Sequence, residues 1–349
     1  MKQTHRRIRH TCSIFGIIPP HILRELAKRG TEEQRALALE TLAHTEKLRG
    51  QREILSAFAI ALPAGQKRRT IYDAQNGTTL PGKLVRGEGD PQNKDGDVND
   101  AYDYSGVVYD FYKSVFGRNS VDDHGLRLDS TVHYSRRFDN AFWNGAQMVY
   151  GDGDGVIFQR FTKCLDVIGH ELTHGVTQHE AAFVYRDQPG ALNESMSDVF
   201  GVLVKQWNLK QTAAQADWII GGGLLAPVVK GVGLRSMKAP GTAYDDPRLG
   251  KDPQPAHMKD YYNGDDDNGG VHINSGIPNR AFYLAATAIG GCAWEVAGKI
   301  WYTALCQNLR WSSQFLDAAN ATVTVAGNLY GAGSKQQKAV KDAWQTVGV

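Results

Sequence analysis

The sequence predicts an α+β protein in which a strand-rich part and a helix-rich part follow a small helical leader. Between Ile71 and Phe158 the apolar segments are short and separated by turn residues, as expected of strands. From about residue 160 onward helical apolar spacing dominates, interrupted at 240–276 by a region rich in Gly, Asp and Pro. We therefore divide the chain into a helical leader at 1–65, a β-rich half at 66–178 and a helical half at 179–349. A cleft between the two halves would suit an extended ligand.

The length and the charge of the chain exclude several classes of function. The 349 residues, 42% of them hydrophobic, are enough for two sizeable cores. A net charge of +2 argues against a general nucleic-acid binder, but residues 1–70 carry 14 Lys and Arg against six Glu, and the rest carry 25 against 31 acidic residues. A basic leader and an acidic body should attract each other; a nucleic-acid-binding tail is the alternative. Since no stretch could span a membrane and nothing demands an oligomer, we expect a monomer with no membrane or nucleic-acid partner.

The first residues predict no classical signal peptide. Their basic region is followed by an apolar stretch of only Ile14 to Ile18 before Pro19-Pro20, and Arg6-Arg7 alone make a poor twin-arginine signal. The four Cys show no pairing pattern, so no disulfide framework is expected. The protein is expected to be made in the cytoplasm and, if secreted, to leave by a non-classical route.

The leader has the pattern of three helices and a linker. A helix is expected after Pro19-Pro20, ending at Gly30, and a second after a capping box at Thr31 to Gln34. A third is expected from Gln51 to Leu62. The following QKRR at 66–69 is polar, like linkers that proteases cut. An ordinary N-terminal helical domain is the alternative.

Turns and alternation define the β-rich half. Asn76-Gly77 predicts a hairpin, and Asn99 to Phe116 has helical spacing. The loop at 151–155 lacks the remaining ligands of an EF-hand and is interpreted as a tight turn. Strands are expected at Leu128 to Tyr134, Ala146 to Tyr150 and Gly155 to Phe158.

The segment VIGHELTHGVTQ at 167–178 carries the strongest chemical signal. His170 and His174 are four residues apart, so a helix presents both on one face, one turn apart. Two such imidazoles can hold one Zn²⁺, and Glu171 beside them can take a proton from water on the metal. An exposed helix that happens to carry two His is the alternative.

A catalytic zinc site needs a third protein ligand. Glu194 lies in GALNESMSD, 20 residues beyond His174, which is far enough for the chain to return as a second helix. Asp198 is four residues further on the same face and could accept the free N–H of a ligand His. A solvated helix charge is the alternative for Asp198.

Together these segments resemble the thermolysin-like zinc metalloproteases, which pair HExxH with a downstream Glu. The resemblance rests on HELTH at 170–174, GALNESMSD at 190–198, DNGGVHINSGIPN at 267–279, NAFWNGAQMVYGDGDG at 140–155 and LRSM at 234–237. It covers about residues 71–349. It implies a two-domain protease with a β-rich N-terminal half, a helical C-terminal half and a zinc cleft between them.

The resemblance also implies residue roles. The implied zinc ligands are His170, His174 and Glu194, with Glu171 as general base. The implied donors to the oxyanion are His272, oriented by Asp267, and Tyr185. The groups implied to hold the substrate main chain are Asn140, the Ala141 backbone and Arg235. The implied apolar S1′ pocket, which predicts cleavage before hydrophobic residues, consists of Phe158, Phe161, Val167, Ile220, Leu224 and Leu234.

The sequence departs from the family at its calcium sites. Asp166 and Asp217 remain, but the matching ligand positions hold Lys205, Ile219 and Gly222, and Val232 replaces another usual Asp. Because a Lys amine supplies no oxygen ligand, calcium binding at the paired site is doubtful. One Zn²⁺ is therefore the expected cofactor, in an enzyme that depends less on calcium and is less thermostable.

The leader is shorter than the usual family propeptide and is similar to that of the protealysin-like subgroup, which includes a proline pair. This resemblance implies an intramolecular inhibitor acting through Pro19, Pro20 and His21, and active enzyme after a cut between about residues 50 and 70. His21 or Cys12 could block the zinc as a ligand; the favoured interpretation is that both merely pack or lie exposed.

We therefore predict the zymogen of a neutral zinc metalloendopeptidase that acts on peptides and proteins. One alternative is a zinc-bound but inert scaffold that binds peptides; it would need a broken catalytic position, and Glu171, Tyr185, Asp267 and His272 are all intact. A second is an adhesion protein whose leader stays attached and recruits a partner.

Overall fold

The computed structural model describes residues 15–56 and 66–349. The leader and the β-rich half contain β1 (Phe15–Gly16), α1 (Pro20–Arg29), α2 (Glu32–Ser56), β2 (Arg69–Asp73), β3 (Lys83–Arg86), α3 (Gly96–Phe116), β4 (Leu128–Val132), β5 (Ala141–Trp143) and β6 (Met148–Tyr150). The central and helical parts contain α4 (Leu165–His179), α5 (Asp187–Leu209), β7 (Ile219–Ile220), β8 (Arg235–Ser236), β9 (Asp245–Asp246), β10 (Gly250–Lys251), α6 (Asp266–Asn274), α7 (Gly276–Ile289), α8 (Ala297–Gln307), α9 (Phe315–Tyr330) and α10 (Lys335–Thr346). Short 3₁₀ turns lie at Phe161–Lys163 and Met258–Asp260.

Six of these strands form one mixed sheet in the order β1-β5-β6-β4-β2-β3. The central pairs β2–β4 and β4–β6 are parallel, and β5–β6 and β2–β3 are antiparallel. The leader supplies the edge strand, since Gly16 of β1 lies opposite Phe142 of β5 in an antiparallel pair. The sheet of the β-rich half is thus extended by the leader.

Helix α4 is buried along most of its length and packs closely against α5. The close approach depends on Gly201, where an added Cβ would lie 2.5 Å from the Asp166 carbonyl oxygen and 3.0 Å from the His170 nitrogen. Because no side chain separates the helices at this point, polar side chains of α5 can reach those of α4.

The leader packs as a helical hairpin on the body. Its apolar side chains are 2% exposed or less at Ile17, Ile18, Ile22, Leu23 and Leu26. The predicted end of α1 at Gly30 is confirmed. So is the capping box of α2, in which the Gln34 N–H donates to Thr31 Oγ1 over 3.3 Å and the Thr31 N–H donates to Gln34 Oε1 over 2.9 Å.

The separate third helix starting at Gln51 is a wrong prediction. Helix α2 runs without a break from Glu32 to Ser56. The segment lacks a proline that would remove a helical N–H, so one helix continues. The rest of the predicted helix, to Leu62, lies outside the described residues.

The strand predictions are partly confirmed. The hairpin at Asn76-Gly77 joins β2 to β3 through a turn in which the Gly77 N–H donates to Ala74 O. The strand from Leu128 ends at Val132, because His133, Ser135 and Arg137 have positive φ. The strand at 146–150 is shorter than predicted, Met148–Tyr150, and the prediction missed β5.

No regular strand forms at Gly155 to Phe158, so that prediction is wrong. The N–H groups of Val156, Ile157 and Phe158 all donate to Asp154 Oδ1 instead of to a neighbouring strand. Phe158 makes only an isolated bridge to Leu225. The predicted tight turn is therefore extended by a carboxylate that binds the backbone.

The helical half agrees with its pattern from residue 160 onward, including the interruption near 240–276. Helix α6 begins with a left-handed turn in which Asp267, Asn268, Gly269 and Gly270 all have φ between 54° and 81°. Among the described residues, no helix is both long and apolar enough to cross a membrane.

Candidate active site

Two imidazoles from α4 and one carboxylate from α5 converge in the interior. The Nε2 atoms of His170 and His174 are 3.0 Å apart, and both rings are fully buried. Glu194 Oε2 lies 3.4 Å from His170 Nε2, and Glu194 Oε1 lies 3.5 Å from His174 Nε2. The structure thus brings the three predicted ligands together, with one ligand atom from each lying within 4.8 Å of the others.

The chemistry of this cluster fits a zinc ion. Glu194 Oε2 is buried and has no hydrogen-bond partner within the described chain, which is costly for a carboxylate unless a cation binds it. Burial disfavours a charge on His170, yet Asp198 and Glu194 raise its pKa to about 9, so the surroundings attract positive charge. Two imidazole nitrogens and one carboxylate are a donor set typical of catalytic zinc.

The second ring nitrogen of each imidazole is also bound. His170 Nδ1 lies 2.8 Å from Asp198 Oδ1, as predicted for Asp198. His174 Nδ1 lies 2.9 Å from Asn193 Oδ1 and 3.0 Å from Ser197 Oγ. The sequence analysis assigned no role to Asn193 or Ser197, although the helical spacing of 193, 194, 197 and 198 already placed them on one face of α5.

Glu171 points toward strand β5, the neighbour of the leader's edge strand β1. Its Oε2 accepts the Trp143 N–H over 2.9 Å, whereas its Oε1 is buried and has no hydrogen-bond partner among the described residues. Burial raises the pKa of Glu171 to about 8, opposed by His170 and reinforced by Glu194. A carboxyl group with such a pKa can exchange a proton near neutral pH.

His272 and Tyr185 face the cluster from the opposite side. The Tyr185 hydroxyl donates to Glu194 Oε1 and lies 3.1 Å from His272 Nε2. His272 Nδ1 lies 2.7 Å from Asp267 Oδ1, and the His272 N–H donates to Asp267 Oδ2 over 2.9 Å. Burial opposes a charge on His272, but the neighbouring carboxylates of Asp267 and Glu194 together raise its pKa.

The left-handed turn of α6 brings Asp267 back onto His272. A Cβ at Gly269 would collide with the Asp187 carboxylate, and one at Gly270 would lie 2.5 Å from Tyr262 Cδ1. These positions therefore combine positive φ with close contacts, which only glycine tolerates. The motif DNGGVH thus has a structural reason for its two glycines.

Three groups of the body bind the main chain of the leader. The Ile17 N–H donates to Ala141 O over 3.0 Å, and the Ile18 N–H donates to Asn140 Oδ1 over 3.0 Å. Arg235 Nη1 donates to Ile17 O over 3.3 Å. The leader thus occupies the three groups expected to hold a substrate, a contact that the sequence analysis did not assign to Ile17 and Ile18.

The residues of the expected S1′ pocket are apolar and at most 1% exposed, at Phe158, Phe161, Val167, Ile220, Leu224 and Leu234. Val167 belongs to α4 itself, one turn before His170. Ile220 lies in β7, and Leu234 lies just before Arg235 of β8. The β7–β8 pair thus carries Arg235 together with part of this apolar group.

Pro19 and Pro20 are buried at the start of α1, separated from the end of β1 by two residues. The alternative that His21 is a metal ligand does not agree with the structure: His21 Nε2 lies 2.9 Å from the Tyr244 hydroxyl, and the ring is not part of the metal cluster. Burial lowers the pKa of His21 to about 4, so the ring is neutral near pH 7. Cys12 lies outside the described residues.

Lys205 bridges Asp166 and Asp217, the two acidic residues retained at the calcium site that the sequence resemblance led us to expect. Its ammonium donates to Asp166 Oδ2 over 3.0 Å and to the Ile219 carbonyl over 2.6 Å, and it lies 3.0 Å from Asp217 Oδ1. One protein cation thus holds α4, α5 and the segment before β7 together.

Comparison with known families agrees with this geometry. Residues 56–178 match the model described as "Thermolysin metallopeptidase, catalytic domain", and residues 181–349 match "Thermolysin metallopeptidase, alpha-helical domain". The chain belongs to the thermolysin family of metallopeptidases. Residues 15–55 of this thermolysin-family chain match the model of the protealysin propeptide. The protein is therefore a metalloprotease zymogen, and the inert-scaffold alternative has no support.

Several proteins are similar to this chain over nearly its whole length. An extracellular metalloprotease of Pectobacterium carotovorum subsp. carotovorum is 54% identical over 96% of both chains. Protease PrtS of Photorhabdus sp. is 51% identical over 96% of this chain and 92% of its own. The solved precursor of protealysin from Serratia proteamaculans is 55% identical and superimposes with a TM-score of 0.89, covering 96% of this chain and 99% of that one.

Proposed function

We propose that the mature thermolysin-family protease is a neutral endopeptidase with one Zn²⁺ held by His170, His174 and Glu194. The observation that carries the proposal is the position of the leader main chain. Ile17 is bound by Ala141 and Arg235, and Arg235 also binds Asp198, which binds the candidate ligand His170. An extended peptide is therefore held beside the candidate metal cluster.

The residues around this cluster have complementary roles in peptide hydrolysis. When bound there, zinc supplies Lewis-acid chemistry that polarises a carbonyl and lowers the pKa of water towards ~7. Glu171 takes a proton from the attacking water and passes it to the leaving amine, a role that its raised pKa supports. His272 and Tyr185 donate to the carbonyl oxygen as negative charge develops there, while Asp267 orients His272.

The substrate is proposed to be a peptide or protein with a hydrophobic residue just after the cut bond. The six apolar side chains of the expected S1′ pocket are buried and offer no charge partner to a polar side chain. The main chain would be held by Asn140, Ala141 and Arg235, the groups that now bind the leader.

The leader is proposed to be an intramolecular inhibitor. Phe15–Gly16 pairs with β5, and the following Ile17 and Ile18 occupy the main-chain groups of the cleft. Pro19, Pro20 and His21 continue this segment into α1 and are proposed to fix its direction. A cut between about residues 50 and 70 would release the cleft.

An intact-mass time course of the purified chain tests the whole proposal. The wild type should lose about the first 50–70 residues, and peptidase activity should rise with that loss. A zinc chelator and the Glu171→Ala variant should both leave the mass whole, since neither has working hydrolytic machinery. A chain that binds zinc, stays whole and cuts no peptide would overturn the proposal.

A second experiment tests the inhibitory contact. A Cβ at Gly16 would lie 2.8 Å from Asn140 Cγ, too close for unstrained contact, so Gly16→Ala should weaken docking of the leader. Uncut G16A should already cleave peptide, and its lag should be shorter than that of the wild type. Thr31→Ala, which loses only the α2 cap, is the control for a destabilised leader. If uncut G16A is as inactive as the wild type, cleft occupancy does not inhibit.

Three further proposals follow from the contacts and the relatives. The ammonium of Lys205 is proposed to replace calcium between Asp166 and Asp217. The protein is proposed to act outside the cell, in line with the extracellular metalloprotease it resembles, after export by a non-classical route. It is proposed to work as a monomer, without nucleic-acid or membrane partners.

A further inference from the structure

The carboxylate of Asp198 is a junction of four elements. It belongs to α5, and its Oδ1 receives His170 Nδ1 of α4 and Arg235 Nη2 of β8, both over 2.8 Å. Its Oδ2 receives Arg235 Nε over 2.8 Å and Asn279 Nδ2 of α7, also over 2.8 Å. Asp198 is fully buried, so water cannot replace a lost donor easily.

These four donors fill the acceptor capacity of the carboxylate. An ionised carboxylate has about four lone-pair sites and can only accept hydrogen bonds. Each oxygen of Asp198 has two donors, so the plane of the group is defined on both sides. Without Asn279, Oδ2 would keep Arg235 alone, and the carboxylate could turn away from the position that holds the His170 ring.

Asn279 itself makes an unusual contact. Its side chain is fully buried in the first turn of α7, and its Oδ1 has no hydrogen-bond partner among the described residues. The atom that faces Asp198 must be Nδ2, since a carboxylate cannot donate. Burying an amide with one half unbonded is costly, so the contribution of Asn279 is concentrated in the bond to Asp198.

We propose that Asn279 is a positioning residue for the metal, acting through Asp198 on His170. The inference rests on the proposed zinc site. It adds to that site one residue that is not itself a candidate ligand. Through α7, Asn279 also ties this junction to the chain segment that carries His272, because α7 follows α6 directly.

Zinc affinity of the full chain measures this role without relying on peptidase activity. All variants carry Glu171→Gln, which prevents self-cleavage and leaves the three candidate ligands in place. The zinc dissociation constant is measured by competition with a chromophoric chelator, together with the rate of zinc release. Partners that orient a metal ligand typically change affinity 10–100-fold, so Asn279→Leu, which removes the donor and keeps the volume, should weaken zinc binding about 10-fold.

Gln206→Leu is the matched control. Gln206 is a fully buried amide on α5 whose Nε2 and Oε1 have no hydrogen-bond partner within the described residues, so it makes no hydrogen bond to Asp198. Its loss should leave zinc affinity unchanged. Asn279→Ala removes the same donor without adding a branched side chain and replaces N279L if that variant does not fold.

The outcomes separate the two proposals. If the parent chain binds no zinc, the proposed zinc site is wrong. If the parent binds zinc and N279L or N279A binds it equally well, the role of Asn279 is overturned, and a lowered melting temperature of the metal-free form would then mark it as a packing residue. Weaker binding and faster release in the Asn279 variants, but not in Q206L, support the inference.

Discussion

Tyr185 is the side chain whose hydroxyl contacts both a candidate ligand and a candidate donor, Glu194 and His272. Tyr185→Phe removes one proposed donor to the carbonyl oxygen while retaining the ring. Loss of such a donor costs about 10²–10³-fold in kcat, so we expect a fall in kcat of that size with little change in KM or zinc content. Tyr109→Phe, whose hydroxyl bonds Asn119, is the control. An unchanged kcat for Y185F would remove Tyr185 from the mechanism.

At the scale of single residues, the sequence predicts which side chains form the site. It predicts less well which main-chain groups bind those side chains. His170, His174 and Glu194 followed from motif and spacing, because helical periodicity fixes which side chains share a face. The Trp143 N–H on Glu171 was not predictable, since every residue except proline has an N–H and only the fold determines which one lies beside Glu171. Asn279 lies in the DNGGVHINSGIPN motif, but the sequence analysis gave it no role. Its partner Asp198 lies 81 positions away, and only the fold brings the two together.

At the scale of secondary-structure elements, the next prediction concerns His133, which lies in the connection between β4 and β5. Its Nδ1 lies 2.8 Å from Asp152 Oδ1 and its Nε2 lies 2.8 Å from Asp95 Oδ2, so both nitrogens donate to carboxylates. The hydrogen bond to Asp152 is the largest cause of a pKa raised to about 10, helped by Asp95 and opposed by burial. The imidazolium holds a segment with positive φ at His133, Ser135 and Arg137.

A raised folded-state pKa means that the native state keeps a proton that the unfolded chain releases near ~6.5. The stabilisation is therefore full below that pH and is lost as the pH rises through about 10. The unfolding free energy of the wild type should exceed that of His133→Gln most at pH 6, and the difference should shrink by pH 10. Urea unfolding of both proteins in the Glu171→Gln background measures this difference in unfolding free energy. A difference that stays constant from pH 6 to pH 10 would contradict an imidazolium paired with Asp95 and Asp152.

A second element-scale prediction concerns Lys205. Added calcium should not raise the melting temperature of the wild type, because an ammonium already neutralises Asp166 and Asp217. Lys205→Glu should melt at a lower temperature without calcium and recover with millimolar calcium, since a third carboxylate offers oxygen ligands. Lys205→Met should lose stability without any recovery. Stabilisation of the wild type by calcium would contradict the replacement.

For helices and strands, hydrophobic periodicity predicted the type of an element better than the residues at which it begins and ends. Gly155 to Phe158 looked like a strand, but Asp154 captures its N–H groups. The Gln51 boundary failed because a helix without proline continues through weak signals. Both errors concern competition for backbone hydrogen bonds, which side-chain patterns describe poorly.

At the scale of the whole molecule, the question is which interactions hold the leader on the body. The sequence predicted attraction between a basic leader and an acidic body. Arg24 does pair with Asp266 over 3.0 Å, but both are exposed, and Glu33 of the leader pairs in the opposite sense with Arg137. Exposed pairs contribute about 0–1 kcal/mol, less than burial of the apolar leader side chains.

We therefore expect only a small effect of charge on the zymogen. Arg24→Ala, or salt raised to about 1 M, should change the lag before activation less than Gly16→Ala does. The measurement is the mass and activity time course already described for the wild type. Release of activity by salt alone, to the level of G16A, would mean that charge attraction and not main-chain pairing closes the cleft.

The edge position of β1 also limits which parts of a substrate the mature protease can cut. With the leader gone, β5 would present a free edge, and a substrate held as we propose would pair with it as an added strand. A helix or a strand already paired elsewhere cannot do this without first giving up its own hydrogen bonds. Cutting of folded proteins should therefore follow their local opening, so that the enzyme acts first on loops, tails and partly unfolded chains.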